Sequence, residues 1–271
     1  LGQTGPSAHH ARYDAMIQGE GGLMSLTGQP DGMPMKVGVA VVDVMTGLYS
    51  CNAILAALMA RHQTNQGQHI DIALLDVQVA TLANQGMNYL ATSKNPQRLG
   101  NEHPNIVPYQ TFATQDGSLI LAIGNDNQFI KFCQVANCPS LAEDALYATN
   151  AQRVVNRNKL IPLLATKLAS HPTLWWIEQL ESVAVPCGAV NTLEQVFNHP
   201  QIKHREMVKQ VANQQGELIK TIASPINLSA TPLQYHSASP DLGQHSYEVL
   251  TNLLAYTQAD IKKLFTDKII S

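Results

Sequence analysis

The sequence predicts an α/β fold, on three observations. Residues 37–42 form a short run rich in β-branched side chains that stops at Asp43 and enters a helix, about 46–62, that is apolar almost all round. Residues 69–74 alternate polar and apolar and lead into a second helix, from Asp76 to about Leu90. Strand, helix, strand, helix in that order is the pattern of neighbouring parallel strands. Residues 94–108 break it with Asn95-Pro96, Leu99-Gly100-Asn101 and His103-Pro104-Asn105, and a smaller unit follows.

Each element has a local cause. Residues 1–12 are turn-rich, and a helix predicted from Tyr13 to Met24 runs into Gly19, Gly21 and Gly22, which weaken it. Gly28 to Gly32, with Pro30 and Asp31, is a turn. Beyond the break, Tyr109 to Phe112 and Leu119 to Ile123 read as a hairpin closed at Asp116-Gly117. Helices are predicted at about 127–136, 141–147, 149–169 and 173–183, then a strand after Val185-Pro186, and a helix at about 192–198 that His199-Pro200 ends. Two strand candidates, 207–211 and 217–222, precede a helix at 245–255 and a short amphipathic end. The domains expected are 1–104, 105–204, and a return to the first over 205–271.

Composition bounds the function. A chain of 271 residues is one or two domains. A formal net charge of −3 argues against a nucleic-acid surface. Only 14% of residues are charged, against roughly 25% in ordinary domains, so this chain has surface to hide. Cys51, Cys133, Cys138 and Cys187 are scattered and read as free thiols of a reducing cytoplasm, not as a metal or disulfide framework. The longest purely apolar run, 53–60, is shorter than the roughly 20 residues of a membrane span, so no membrane partner is expected. The chain begins at Leu1 and enters a turn-rich stretch at once, and a preceding segment, missing or on another chain, is expected.

Asp43 is the position of most chemical interest. A carboxylate where a strand ends and a helix begins reads by pattern first as an N-cap. The functional reading is a nucleophile or base, because α/β folds bind ligands at the carboxyl ends of strands, and Gly47 one turn on leaves room. Tyr13 beside the glycines is a candidate substrate contact, with a half-buried structural tyrosine as the plain alternative. His103 in its loop, and His9-His10 with Arg12, are further candidates, each with a bland local reading. Trp175-Trp176 reads as core. No phosphate loop, dinucleotide fingerprint, nucleophile elbow or zinc motif occurs.

Taken in order, Gly21-Gly22-Leu23-Met24-Ser25-Leu26-Thr27-Gly28, Pro30-Asp31-Gly32, Lys36-Val37-Gly38-Val39-Ala40, Asp43 and Thr46-Gly47-Leu48-Tyr49 resemble the family III CoA-transferases, the CaiB/BaiF family. The likeness continues through Gly67-Gln68-His69-Ile70-Asp71, Gly100-Asn101, His103-Pro104-Asn105, Pro108-Tyr109, Gly124-Asn125-Asp126, Val185-Pro186-Cys187-Gly188 and Leu242-Gly243-Gln244-His245, across essentially the whole chain. The resemblance implies a partial Rossmann-like large domain, a smaller α/β domain and an interlocked homodimer. It implies transfer of CoA from an acyl-CoA to a carboxylic acid, with the CoA thioester as substrate and no tightly bound cofactor or metal. Asp43 takes the place of the catalytic aspartate; His10, Ala11, Arg12 and Tyr13 lie where the family meets the cofactor; Tyr13, Gly100, Asn101 and His103 lie where it meets substrate. Two other readings stand beside it. The α-methylacyl-CoA racemases share the fold but carry His-Asp where this chain has Tyr13-Asp14, and a phenol, whose proton leaves only well above neutral pH, suits α-proton transfer poorly. A truncated subunit without catalytic function is the other.

Overall fold

A computed structural model describes residues 1–270 of the chain. Cα packing divides it into two units, Leu1–Val190 and Asn191–Ser271. The first unit opens with helices α1 (Asp14–Glu20), α2 (Leu23–Leu26), α3 (Val41–Thr64), α4 (Leu74–Ala80) and α5 (Ala83–Thr92). It continues with strands β1 (Tyr109–Ala113) and β2 (Ser118–Ala122), helices α6 (Asp126–Val135), α7 (Pro139–Glu143), α8 (Asn150–Val155), α9 (Arg157–Leu168) and α10 (Thr173–Ser182), and strand β3 (Cys187–Ala189). The second unit holds α11 (Leu193–Asn198), α12 (Pro200–His204), the β4 (Val208–Ala212) and β5 (Leu218–Ile222) hairpin, a turn α13 (Ser246–Glu248) that passes into a π-helical segment Val249–Leu253, and α14 (Gln258–Thr266).

The core of the first unit lies behind an antiparallel sheet in the order β1-β2-β3. Leu119, Leu121 and Ile123 alternate inward from β2, as the two-residue period of a strand requires. Leu160, Leu164 and Leu168 make a single i, i+4 stripe down α9, and Phe129 and Phe132 of α6 and Trp176 and Leu180 of α10 close over them. Trp176 is core, its indole N–H donating to the Leu168 carbonyl, while Trp175 stacks on His171 with ring centroids 3.8 Å apart. The predicted long helix 149–169 is two helices, parted at Asn156. Cys133 and Cys138 are buried free thiols, and burial with the nearby Glu181 pushes the Cys187 thiol up to about 11.

Asp116 ties the hairpin turn to α10. Its Oδ1 accepts the Thr173 N–H at 2.8 Å and the Thr173 hydroxyl at 3.0 Å, which holds its carboxyl below the usual 3.8. A carboxylate with a depressed folded pKa contributes stability above its unfolded pKa and loses that contribution as pH falls through the folded one. Asp116→Asn is therefore expected to be less stable at neutral pH and to show a shallower loss of stability below about pH 4. Urea melts across that range check this, and parallel curves for the two proteins would contradict it.

The amino-terminal part departs from expectation. The predicted strands 37–42 and 69–74 do not form: residues 37–40 are irregular, Val41 and Val42 already belong to α3, and 69–73 is irregular backbone. A strand needs a partner for its ladder, and no strand occurs before Tyr109, so the Rossmann-like sheet is not built among the described residues. The helix predicted over 13–24 is broken at Gly21-Gly22, where Gly22 sits at φ +87°. Gly21 lies so close to the Gln78 side chain that a Cβ there would stand 2.3 Å from it, which lets α1 pack on α4. Helix α3, expected as a core helix, is bare: of its 24 residues only Val42 is buried, and Leu48, Ile54, Leu55 and Met59 face solvent. By length and composition α3 passes for a membrane span, a test that a core helix stripped of its cover also passes.

The total area makes the same point. The chain exposes 18708 Å², whereas two separate globules of the sizes of its units would expose only about 14,000 Å². The excess, on the order of 5,000 Å², is surface that this chain leaves uncovered.

Candidate functional site

Asp43 is the third residue of α3, in the first turn, and its side chain is exposed. It is not the N-cap that the sequence pattern favoured; Ala40 holds that position and offers no side chain to cap with. The cap comes from α1 instead. Asp14 Oδ2 accepts the N–H of Val42 at 2.8 Å and the N–H of Asp43 at 3.1 Å, satisfying two of the four orphan donors of the helix. Asp14 Oδ1 accepts from the Gln18 amide, and Gln18, itself buried, accepts the Val37 N–H at 2.8 Å. A two-residue relay on α1 thus fixes where α3 begins, and with it the backbone of Asp43. Both groups also lie at the positive end of the α3 dipole, where a carboxylate is favoured.

The carboxylate of Asp43 has no hydrogen-bond partner among the described residues. Gly47, one turn on and on the same helix face, leaves open space beside it, because a Cβ at that position would meet nothing within 4 Å. The Thr46 hydroxyl, in the same turn, is buried without a partner among the described residues.

The other predicted residues fall into two groups. His10, Ala11, half-buried Arg12 and Tyr13 form the approach to α1, and Tyr13 is its N-cap residue, 80% exposed. Being next to Asp14, Tyr13 is brought to the start of α3. The Arg12 guanidinium is already engaged, with Glu20 at 2.6 Å and the Ala11 carbonyl at 2.9 Å. Gly100, Asn101 and His103 belong to a second cluster. Gly100 sits at φ +58°, its N–H donating to the Gly28 carbonyl at 2.9 Å, and Arg98 holds the same turn through the carbonyls of Gln29 and Gly32. No hydrogen bond or ion pair among the described residues joins this loop to Asp43. Two cavities, of about 820 and 420 Å³, are lined by residues between Glu194 and Tyr235 and include none of these positions.

Sequence reasoning gave Asp14 no role of its own and missed Gln18 and two of the side chains that hold the His103 loop, Asn150 and Arg157; the third, Arg153, reads by sequence as structural rather than as a contact for a dicarboxylate. All act on backbone 19 to 54 positions away, beyond the range of any local pattern.

Comparison with known proteins follows the same residues. The family model for CoA-transferase family III matches residues 1–246. Among curated proteins, the chain is similar to a succinate–glutarate CoA-transferase of Agrobacterium fabrum, with 47% identity over 258 residues, 93% of this chain and 63% of that protein. It is also similar to the succinyl-CoA:glutarate CoA-transferase of Mus musculus, with 38% identity over 269 residues, 99% of this chain and 62% of that one. Among solved structures, a CaiB/BaiF family protein from Brucella suis superposes with a TM-score of 0.82 at 45% identity, over 93% of this chain and 66% of that one. The chain therefore spans a little over three-fifths of the length of these curated relatives.

Proposed function

The chain belongs to CoA-transferase family III, and from that membership we propose that it serves transfer of CoA from an acyl-CoA donor to a carboxylic acid, with Asp43 as the nucleophile. The names of the relatives point to succinyl-CoA as donor and glutarate as acceptor, so the substrates proposed are short dicarboxylic acids. The observation that carries the assignment is the position of Asp43, a carboxylate without a partner in the first turn of α3, held by Asp14 and bordered by Gly47.

The chemistry conserves an activated acyl bond throughout. The Asp43 carboxylate attacks the thioester carbonyl; the C–S bond breaks and a mixed anhydride and the CoA thiolate result. The thiolate attacks the aspartyl carbonyl, releases the donor acid and leaves an aspartyl-CoA thioester. The acceptor carboxylate attacks that thioester, giving a second anhydride and the thiolate again. Attack of the thiolate on the acceptor carbonyl yields the new acyl-CoA and restores Asp43. The N–H groups of Gly100 and of the first turn of α3 are already engaged, which leaves the backbone N–H of Asn101 as the candidate oxyanion donor, and His10, Ala11, Arg12 and Tyr13 as the candidate CoA contacts.

An anhydride survives only where water is kept out, and Asp43 and the α3 face lie open in a single chain. We propose that a second copy covers them, in the interlocked dimer that the family resemblance implies, over a partial Rossmann-like domain. The excess exposed area and the bare apolar helix support this. Sedimentation equilibrium at micromolar concentration is expected to give twice the 29.5 kDa chain mass; a monomer at every concentration would overturn it. Racemisation needs a second free acid/base beside Asp43, and Asp14 spends both oxygens on Val42, Asp43 and Gln18. The function is tested by incubating the protein with succinyl-CoA and mapping a CoA-sized adduct to the peptide that carries Asp43.

A further inference from the structure

Residues 102–108 have no regular structure of their own, yet side chains of α8 and α9 grip them through six hydrogen bonds. Asn150, the first residue of α8, bonds this loop twice: its Oδ1 accepts the Val107 N–H at 3.1 Å and its Nδ2 donates to the Asn105 carbonyl at 2.9 Å. Arg153 Nε donates to the Val107 carbonyl at 2.6 Å. Arg157, the first residue of α9, donates from one terminal nitrogen to Glu102 Oε2 at 3.1 Å and from the other to the carbonyls of His103 at 3.1 Å and Pro104 at 2.9 Å. A planar guanidinium presents its donors in a rigid fork, so three acceptors on one arginine fix the orientation of the peptides that carry them.

That grip has a consequence at His103. With the carbonyls on either side of the 103–104 bond pinned, the Asn105 N–H points back to His103 Nδ1 at 3.1 Å, and the ring stacks on Tyr109 with centroids 5.2 Å apart and 18° between planes. A neutral imidazole that accepts at Nδ1 carries its proton on Nε2, and Nε2 has no hydrogen-bond partner among the described residues. Glu102, the neighbour of His103, would oppose an incoming carboxylate; its pairing with Arg157 removes that repulsion.

We infer that Asn150, Arg153 and Arg157 clamp the 102–108 loop, and that Arg157 is a positioning residue that holds His103 as an Nε2–H donor for the carboxylate of the acid substrate. The second half rests on the proposed acid-transfer reading; the first half does not.

The test is ¹⁵N NMR of the His103 ring and amide exchange at Asn105 in the whole chain. The wild-type protein is expected to show one tautomer, Nε2–H. Arg157→Ala is expected to average the two tautomers and to speed exchange at Asn105 about tenfold or more, with Arg157→Lys between the two. Asn150→Ala, which keeps Arg157, is expected to act in the same direction and serves if Arg157→Ala does not fold. Leu164→Ala, a core cavity away from the loop, is expected to lower the melting temperature and leave His103 unchanged. An unchanged tautomer and exchange rate in both loop variants, or the same change in Leu164→Ala, would overturn the clamp. Titration with glutarate is expected to shift the His103 Nε2–H resonance in wild type and not in Arg157→Ala. A tautomer that responds to Arg157 while glutarate leaves His103 unmoved keeps the clamp and removes the acid-binding role.

Discussion

Asp43→Asn is expected to abolish both the CoA adduct and net transfer between succinyl-CoA and glutarate, with the fold kept and the melting temperature lowered only by the loss of a favourable helix-dipole contact, about 0.3–1 kcal/mol. An amide is isosteric with the carboxylate but carries no charge and does not attack a thioester, so nucleophilic turnover ends rather than slows. The Asp43 side chain makes no hydrogen bond among the described residues, so its loss leaves no orphaned partner, and the cap on α3 comes from Asp14. Asp14→Ala is expected to act differently: two helix N–H groups lose their acceptor, which costs about 1 kcal/mol for a lost cap, and the start of α3 loosens. Wild-type turnover in Asp43→Asn, measured by mass spectrometry of the CoA products, would remove the assignment.

The largest expected loss of stability is at Arg153. This guanidinium is 0% exposed and donates to the carbonyls of Val107 and Tyr147 and to Asp126 Oδ1, while its carbon stands 4.5 Å over the Phe129 ring. Burial lowers its pKa, and the hydrogen bond and charge of Asp126 push back. Arg153→Leu fills part of the volume but orphans two carbonyls, each worth about 1–3 kcal/mol when left buried without a donor. The Asp126 side chain is half-exposed and rehydrates, so the ion pair itself adds little. A total of about 3–5 kcal/mol is expected, near 10 °C in melting temperature for a unit of this size. Thermal and urea melts check it, and a loss under about 1 kcal/mol would show that the network relaxes around the vacancy.

Where the sequence reads well, the contacts are local. The β1–β2 hairpin was legible because Asp116-Gly117 sits between two alternating runs, and α6 because Asn125 caps it within three residues. The break at Gly21-Gly22 was marked by glycines, although the extent of the helix was overread. The strands at 37–42 and 69–74 were misread for a physical reason. A β-branched or alternating run records which faces are to be covered, but a strand exists only against a partner that completes its ladder. The bare face of α3 has the same origin: its composition demands burial, and this chain does not supply the cover.

The sequence by itself determined the family, because ordered motifs around Asp43 and the His103 loop are covalent facts of the chain, and it determined the hairpin and the helices of the β1–β3 core through periods of 2 and 3.6 that need no distant partner. Only the tertiary structure decided that Asp14 rather than Asp43 caps α3, that Arg153 is a buried anchor, and that Arg157 and Asn150 grip the loop at 102–108. These depend on hydrogen bonds across 28 to 55 positions, and such bonds are chosen by how the packed elements bring donors and acceptors together, which no residue spacing encodes.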